Sequence, residues 1–264
     1  MKTYNMSPEI VLTDKSDNRY IYDKRQDRLN LYDNQNRFVR NINPDKRMFY
    51  TNTLLFDNTG NILHLQDVDG ITKLSKYLVP IISEPVYTID LTGDDTRALI
   101  YPAGGFCGFC YNSTNNHLYY LKPGDYLIKE LDPTDGKEDN SFGIKPLDYQ
   151  ALPEKYKKLD YCETIKEISQ MLDSISEIKG MELLDNRYLF VGHHTNKFKS
   201  WNWIVHDLLS GENAYVVEDT VLNKSKIFTS KDSLFYLYTP PSFEEIDNSN
   251  GTIEIYAFDI IRND

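Results

Sequence analysis

The residues best able to do chemistry in this chain are few and scattered. In GGFCGFCY, Cys107 and Cys110 have the C-x-x-C spacing of dithiol redox centres and of half a zinc site. A zinc site needs a second pair of ligands, and Cys162 stands alone far along the chain. The run around the two cysteines reads as a strand, on which residues three apart point to opposite faces. The spacing works as a motif only if Gly104, Gly105 and Gly108 make a turn; otherwise the cysteines are small residues of an inner strand.

A second concentration is GHHTNKFKSWNWIVHD. His193 and His194 are adjacent and diverge if placed on a strand, and no H-x-H or H-E-x-x-H spacing joins them to a third metal ligand. Their expected place is a turn. Trp201, Trp203 and Val205 are two apart and share one strand face. That stripe either packs one layer on the next or forms the aromatic wall of a binding surface. The third concentration is TPPSFEEIDNSNG, residues 239–251, which sets Phe243 beside Glu244, Glu245 and Asp247. It is long for a link between two hairpin strands, and long loops on a rigid scaffold carry recognition. The alternative is a disordered tip.

The candidate binding residues are therefore Phe243, Glu244, Glu245, Asp247, Trp201, Trp203, His193 and His194. No catalytic residue, metal ligand or cofactor is assigned. The chain has no G-x-S-x-G elbow, Walker A loop or dinucleotide fingerprint. Asp94 and Asp95 read as solvated turn charge. Asn5, Asn112, Asn223 and Asn250 head N-x-S/T triplets, a weak signal in a chain so rich in asparagine.

The totals narrow the partner classes. With 29 basic and 40 acidic residues, the net charge of -11 opposes a general affinity for nucleic-acid phosphates and for anionic membrane surfaces. A basic protein partner suits it better. The N-terminal MKTYNMSPEIVLTDKSD has no apolar signal core, so a cytoplasmic location is expected for the sequence as written, and a periplasmic or extracellular one if a leader has been removed. No apolar run approaches the length of a membrane span. Three cysteines do not make a disulfide framework.

What must position these residues is a β scaffold. Of the 264 residues, 20 are Tyr and 12 are Phe, a bias that suits half-buried pleated surfaces. The stretch from 14 to 42 splits into RYIYD, RLNLYD and RFVRNI, separated by Asp- and Asn-rich turns and preceded by EIVLTD. That is a four-stranded antiparallel meander. The pattern returns over 47–75, 105–132, 180–219 and 226–260. With second strands starting at Arg19, Asn61, His117, Arg187 and Ser233, the first and last intervals lie near the roughly 40–50 residues of a four-stranded propeller blade. The two longer intervals imply insertions, or a sixth unit within 76–104 or 132–175. Over 150–175, Leu152, Tyr156, Leu159, Ile165, Ile168, Leu172 and Ile175 approach helical spacing, which predicts a helical insertion laid on the β body. Residues 122–141 are expected to end in a polar loop leading into it.

The first unit resembles the repeat of NHL-like β-propellers, in which a D-x-x-G-N turn precedes a strand ending in Asp and then an N-R-I-Q-x-F-D strand. Asp14, Asn18, Tyr20, Tyr22, Asp23, Arg28, Leu29, Tyr32, Asp33 and Phe38 stand at corresponding places, with Asp17 and Gln35 replacing the glycines. DNTGNILHLQD in the second unit keeps the pattern well. In organisation the chain is also similar to divergent bacterial propellers of the six-bladed TolB-like kind. The resemblance implies a single all-β domain over 1–264, a propeller of five or six four-stranded blades; the last unit shows three strands, so residues 1–6 are expected to supply its outer strand. Radial repetition fits the physics, because a lone meander leaves two open edges and two unburied faces. Tyr20, Tyr22 and Tyr32 are expected to pack one blade on the next.

The function expected on these grounds is that of a non-enzymatic binding propeller, recognising a protein and, in the sharper form, neutralising a basic one as inhibitor or immunity proteins do. The competing expectations are a hydrolase or lyase centred on the propeller channel and using a divalent cation, and a scaffold within a larger complex.

Overall fold

The computed structural model of the chain describes residues 8–23, 28–42, 51–68, 71–79, 84–91, 108–121, 127–144, 150, 166–167, 170, 176–195, 201–216, 226–231, 234–239 and 252–257. Asp14 closes the first hairpin. Its Oδ1 accepts the backbone N–H groups of Ser16 and Asn18, both at 2.9 Å, and its Oδ2 accepts the Asn18 amide at 3.0 Å. An aspartate that captures the turn's own N–H groups holds the chain in the reversal. Asp33 does the same with the N–H groups of Gln35 and Arg37, and Asp57 with those of Thr59 and Asn61. Three residues after each aspartate the backbone is left-handed, at Asp17 (φ 60), Asn36 (φ 62) and Gly60 (φ 80). Asp17 therefore takes a glycine place as expected. In the other turn of the first unit that place belongs to Asn36 and not to Gln35, a shift of one residue; Asn and Asp are the non-glycine residues that tolerate this region best.

Two glycines test what such a turn needs. A Cβ on Gly60 would meet nothing within 4 Å, so Gly60→Ala should cost only the left-handed strain of about 1 kcal/mol. Gly136 (φ 75) carries the same strain, but a Cβ there would lie 2.7 Å from Ile89 Cδ1 and 3.0 Å from Tyr87 Cε2. Gly136→Ala should cost clearly more in denaturant melts. Equal costs would show that this turn does not bear on the neighbouring sheet.

The described strands form five antiparallel sheets, each in sequence order. The first holds β1 (Pro8–Thr13), β2 (Arg19–Asp23), β3 (Arg28–Tyr32) and β4 (Phe38–Ile42). The second holds β5 (Thr51–Phe56), β6 (Ile62–Val68), β7 (Ile71–Tyr77) and β8 (Tyr87–Asp90). The third holds β9 (Gly108–Asn112), β10 (His117–Leu121), β11 (Leu127–Leu131) and β12 (Glu138–Gly143). The fourth holds β13 (Ser176–Leu184), β14 (Tyr188–Thr195), β15 (Trp201–Asp207) and β16 (Asn213–Val216). The fifth holds β17 (Lys226–Lys231), β18 (Leu234–Thr239) and β19 (Thr252–Ala257).

Two strands fall where a further unit or a loop is expected. β8, within 76–104, completes the second sheet, and β12 occupies the end of the segment expected as a polar loop and completes the third. β12 is exposed at almost every position, so its sequence carries no period-two signal. Of the expected helical insertion, Lys166, Glu167 and Gln170 have helical backbone, and the rest lies outside the described residues, apart from Gln150. Residues 1–6, expected to close the last blade, also lie outside them.

The core lies between sheets. Tyr20, Tyr22, Leu29 and Ile42 of the first sheet pack with Leu54, Ile62 and Tyr77 of the second. Leu63, Leu65 and Leu74 of the second meet Phe109, Leu118, Tyr120 and Leu131 of the third. Cys110, Tyr119, Leu121 and Ile128 of the third meet Met181, Leu189, Val191 and Ile204 of the fourth. Alternation thus sends the apolar residues of the second and third sheets to both faces, one toward each neighbour. Tyr32 packs edge-on against Phe38 of its own sheet, ring centroids 5.7 Å apart. The first strand of each sheet is innermost, with β5 against β1 and β9, and β13 against β9 and β17. This radial stacking of meanders on their first strands is a β-propeller.

Candidate functional site

The meander order gives the two ends of the ring different characters. In every sheet the first strand leads to the second at one end, where in the four-stranded sheets the third also leads to the fourth; this is the turn face. Links from second to third strand, and from each sheet to the next, open at the opposite end, the connection face. The three longest links, 91–107, 144–175 and 240–251, all begin and end on the connection face.

The turn face is bonded to itself. Lys15 Nζ of the first sheet donates to the Asn58 carbonyl of the second at 2.7 Å. Asn58 donates its N–H to Tyr111 Oη at 2.8 Å and its amide to the Ser113 carbonyl at 2.9 Å, both on the third sheet. Asn112 and Ser113 then reach Asn186 of the fourth: Asn112 Nδ2 donates to its carbonyl at 2.7 Å, and the Ser113 N–H to its Oδ1 at 3.0 Å. The hairpin turns of four sheets are thereby joined in a row. Asn112 is buried and its amide is used in this link, which removes it as a free glycosylation acceptor in the folded protein.

Ion pairs reinforce this end. Burial raises the Asp57 carboxyl, but hydrogen bonds from Lys76 (2.9 Å), Thr59 and Asn61 outweigh it and hold the group below its ordinary value. Lys76 and Tyr87 both donate to the Pro133 carbonyl of the third sheet, at 3.0 and 3.1 Å. Arg187 grips Asp207 with Nε at 2.9 Å and Nη2 at 2.6 Å, which holds the Asp207 carboxyl far below the usual carboxylate range.

The connection face receives the residues picked out in the sequence. His193 and His194 lie on β14 and not in a turn; opposite them on β15 are Asn202 and Trp201. Trp203 is 2% exposed and lies flat over Gly192, its partner across the strands, so it belongs to the packing of the sheet and not to a surface wall. The register thus groups His193, His194 and Trp201 at the end of the fourth sheet that opens on the connection face. Phe243, Glu244, Glu245 and Asp247 lie outside the described residues, in the link from β18 to β19 that starts and finishes on the same face. Cys110 is buried on β9, its thiol pushed up by burial and then by the Glu182 carboxylate; Cys107 and Cys162 lie outside the described residues.

Two arrangements escape sequence reasoning. On the third sheet, His117 Nε2 is 3.2 Å from Asp139 and Nδ1 3.6 Å from Glu130, while Tyr119 Oη donates to Glu130 at 3.0 Å and accepts Asn115 Nδ2 at 2.9 Å. The Tyr119–Glu130 and His117–Asp139 contacts knit β10, β11 and β12 together, while His117 Nδ1 makes no hydrogen bond among the described residues. Finding them requires the strand register, which pairs Tyr119 with Glu130 and Glu130 with Asn140. The other is Glu182 on the innermost strand β13, whose carboxyl burial pushes up to about 8. Among the described residues, no three His, Cys, Asp or Glu side chains are grouped so as to hold a metal ion.

No family model and no curated protein matches the chain. Solved structures do. A streptogramin B lyase structure aligns at TM-score 0.53 and 12% identity, over 98% of this chain and 71% of that one. A protein of unknown function from Bacteroides caccae aligns at TM-score 0.53 and 11% identity, over 96% and 78%. Virginiamycin B lyase from Staphylococcus aureus aligns at TM-score 0.51 and 10% identity, over 98% and 87%. At such identities the likeness is one of fold.

Proposed function

We propose that this chain is a non-enzymatic propeller of a divergent NHL-like or TolB-like kind, which binds a protein partner on its connection face. The observation that carries the reading is the division of labour between the two ends. The turn face commits its polar groups to links between sheets, whereas the three longest links, including the one bearing Phe243, Glu244, Glu245 and Asp247, open on the other. Long links on a rigid frame are the usual carriers of recognition. The net charge of -11 favours a basic partner, as for an inhibitor or immunity protein.

The test is retention of proteins from the native host on the immobilised chain at low and high salt, repeated with Glu244→Gln, Glu245→Gln and Asp247→Asn combined. A basic protein should be retained at low salt and lost from the triple variant. Retention of nothing, or of the same proteins by both forms, would overturn the reading. A second reading, a lyase or hydrolase centred on the channel and using a divalent cation, draws on Glu182: a carboxyl still protonated near neutrality on an innermost strand is what a general acid needs. Metal analysis with melting under a chelator separates the two, because only the enzyme reading expects bound metal and a lowered melting temperature.

A further inference from the structure

The outermost strand of the first sheet has a character of its own. Among the described residues, β4 pairs with β3 on one side only, and all its residues but Ile42 are exposed. Phe38 and Val39 are 56% and 52% exposed, on a strand whose pairing shifts register at Leu31 and Tyr32. A shift of that kind disturbs the alternation of faces. Here it leaves two large apolar neighbours in solvent together.

Charge sets β4 further apart. In a chain of net charge -11, the strand and its entry carry Arg37 and Arg40, and both are exposed. Beside its entry lies an open depression of about 670 Å³ lined by Thr13, Asp17, Arg19, Asn34 and Gln35. Arg19 is held at that rim by Asn36 Oδ1, and Arg37 by Asp33 at 2.7 Å. Two other outer strands differ: β12 opens with Glu138 and Asp139, and β8 lies against the turn at Gly136 through Tyr87 and Ile89.

We propose that the free edge of β4 is a docking site for an extended acidic segment of a partner protein, which adds to the first sheet as a fifth strand. Strand addition supplies main-chain hydrogen bonds along an edge whose N–H and C=O groups face outward. Alternate apolar residues of the incoming segment cover Phe38 and Val39, while its acids meet Arg40 and the rim arginines Arg19 and Arg37. Arg40 also works against pairing with an arginine-bearing edge, so charge selects the partner. This site lies on the outer wall of the ring and is independent of the connection face.

The test uses the full chain and two fluorescein-labelled ten-residue peptides, one alternating Glu with Val and one alternating Lys with Val, followed by anisotropy. The Glu peptide should bind at least about tenfold more tightly, which is about 1.4 kcal/mol, and weaken with salt. Phe38→Ser with Arg40→Glu should lose that binding, whereas Leu209→Ser, an exposed apolar position on the fourth sheet, should keep it. A Glu peptide N-methylated at alternate residues should not bind, because it cannot form the ladder. No binding, equal binding of the Lys peptide, survival in the double variant, or binding of the N-methylated peptide would each overturn the proposal. The variant altered at Glu244, Glu245 and Asp247 should bind the Glu peptide normally, which separates a failure here from a failure of the connection-face reading.

Discussion

Gly192→Val should destabilise the protein by about 1–3 kcal/mol, the usual cost of forcing extra atoms into a filled core. Gly192 faces Trp203 across β14 and β15, and a Cβ there would lie 2.8 Å from Cη2 and 2.9 Å from Cζ2 and Cζ3 of the indole. The obstacle is a rigid ring, not the end of a flexible side chain. The ring cannot move aside easily, because Trp203 is 2% exposed and its strand neighbours Ile204 and Val205 are buried as well. A double-mutant cycle with Gly192→Ala and Trp203→Phe isolates the contact. The smaller ring frees the volume that the added methyl needs, so the pair should cost less than the sum of the single changes. Simple additivity would mean that the backbone of β14 absorbs the collision and the indole does not.

The second large effect is on stability against pH. Glu182 has its carboxyl raised from 4.5 to about 8 in the fold; its residue keeps some exposed surface, but desolvation of the carboxyl dominates. A raised acid favours the folded state only while protonated. Its contribution is intact below about pH 4.5, falls as pH rises and levels off above about 8. A tenfold change in proton affinity on folding is worth about 1.4 kcal/mol, so the total is on the order of a few kcal/mol. His64, buried and lowered from 6.5 to about 4, acts in the opposite direction: its contribution is intact above 6.5 and is lost as pH falls toward 4. The two slopes oppose each other between about 4.5 and 6.5, so stability should peak in that window and fall on both sides. Glu182→Gln should remove the fall above about pH 6.5 and leave stability rising from about 4 to 6.5, in urea melts at pH 4, 5.5, 7 and 8.5. An unaltered alkaline slope in the variant would refute the assignment to Glu182.

The architecture could be read from the sequence because its rules are local. Asp14, Asp33 and Asp57 mark their turns by residue type alone, and Tyr20 and Tyr22 reveal a buried face by alternation. Reading failed where locality fails. β12 follows no alternation because both its faces meet solvent, so Glu138 to Ser141 read as loop. The left-handed place at Asn36 and not Gln35 is legible only once the turn is counted from Asp33, because one residue separates the two. His193 and His194 suggested a turn by their polarity, yet β14 runs through them because its ladder with β15 continues to Trp201. The candidate site was less legible still. A binding face is assembled from links that are distant in sequence, and which end of the ring they share follows from strand direction, not from composition.

The row of bonded turns bears on how such a chain can change over generations. Asn58 touches three sheets through its own carbonyl, N–H and amide, so adding or deleting one residue in its turn would break joints on both sides at once. The links at the far end carry no such double obligation among the described residues. Length is therefore a fixed quantity at the bonded pole of the ring. A lineage built on this frame must retune neighbouring sheets together to change a turn there.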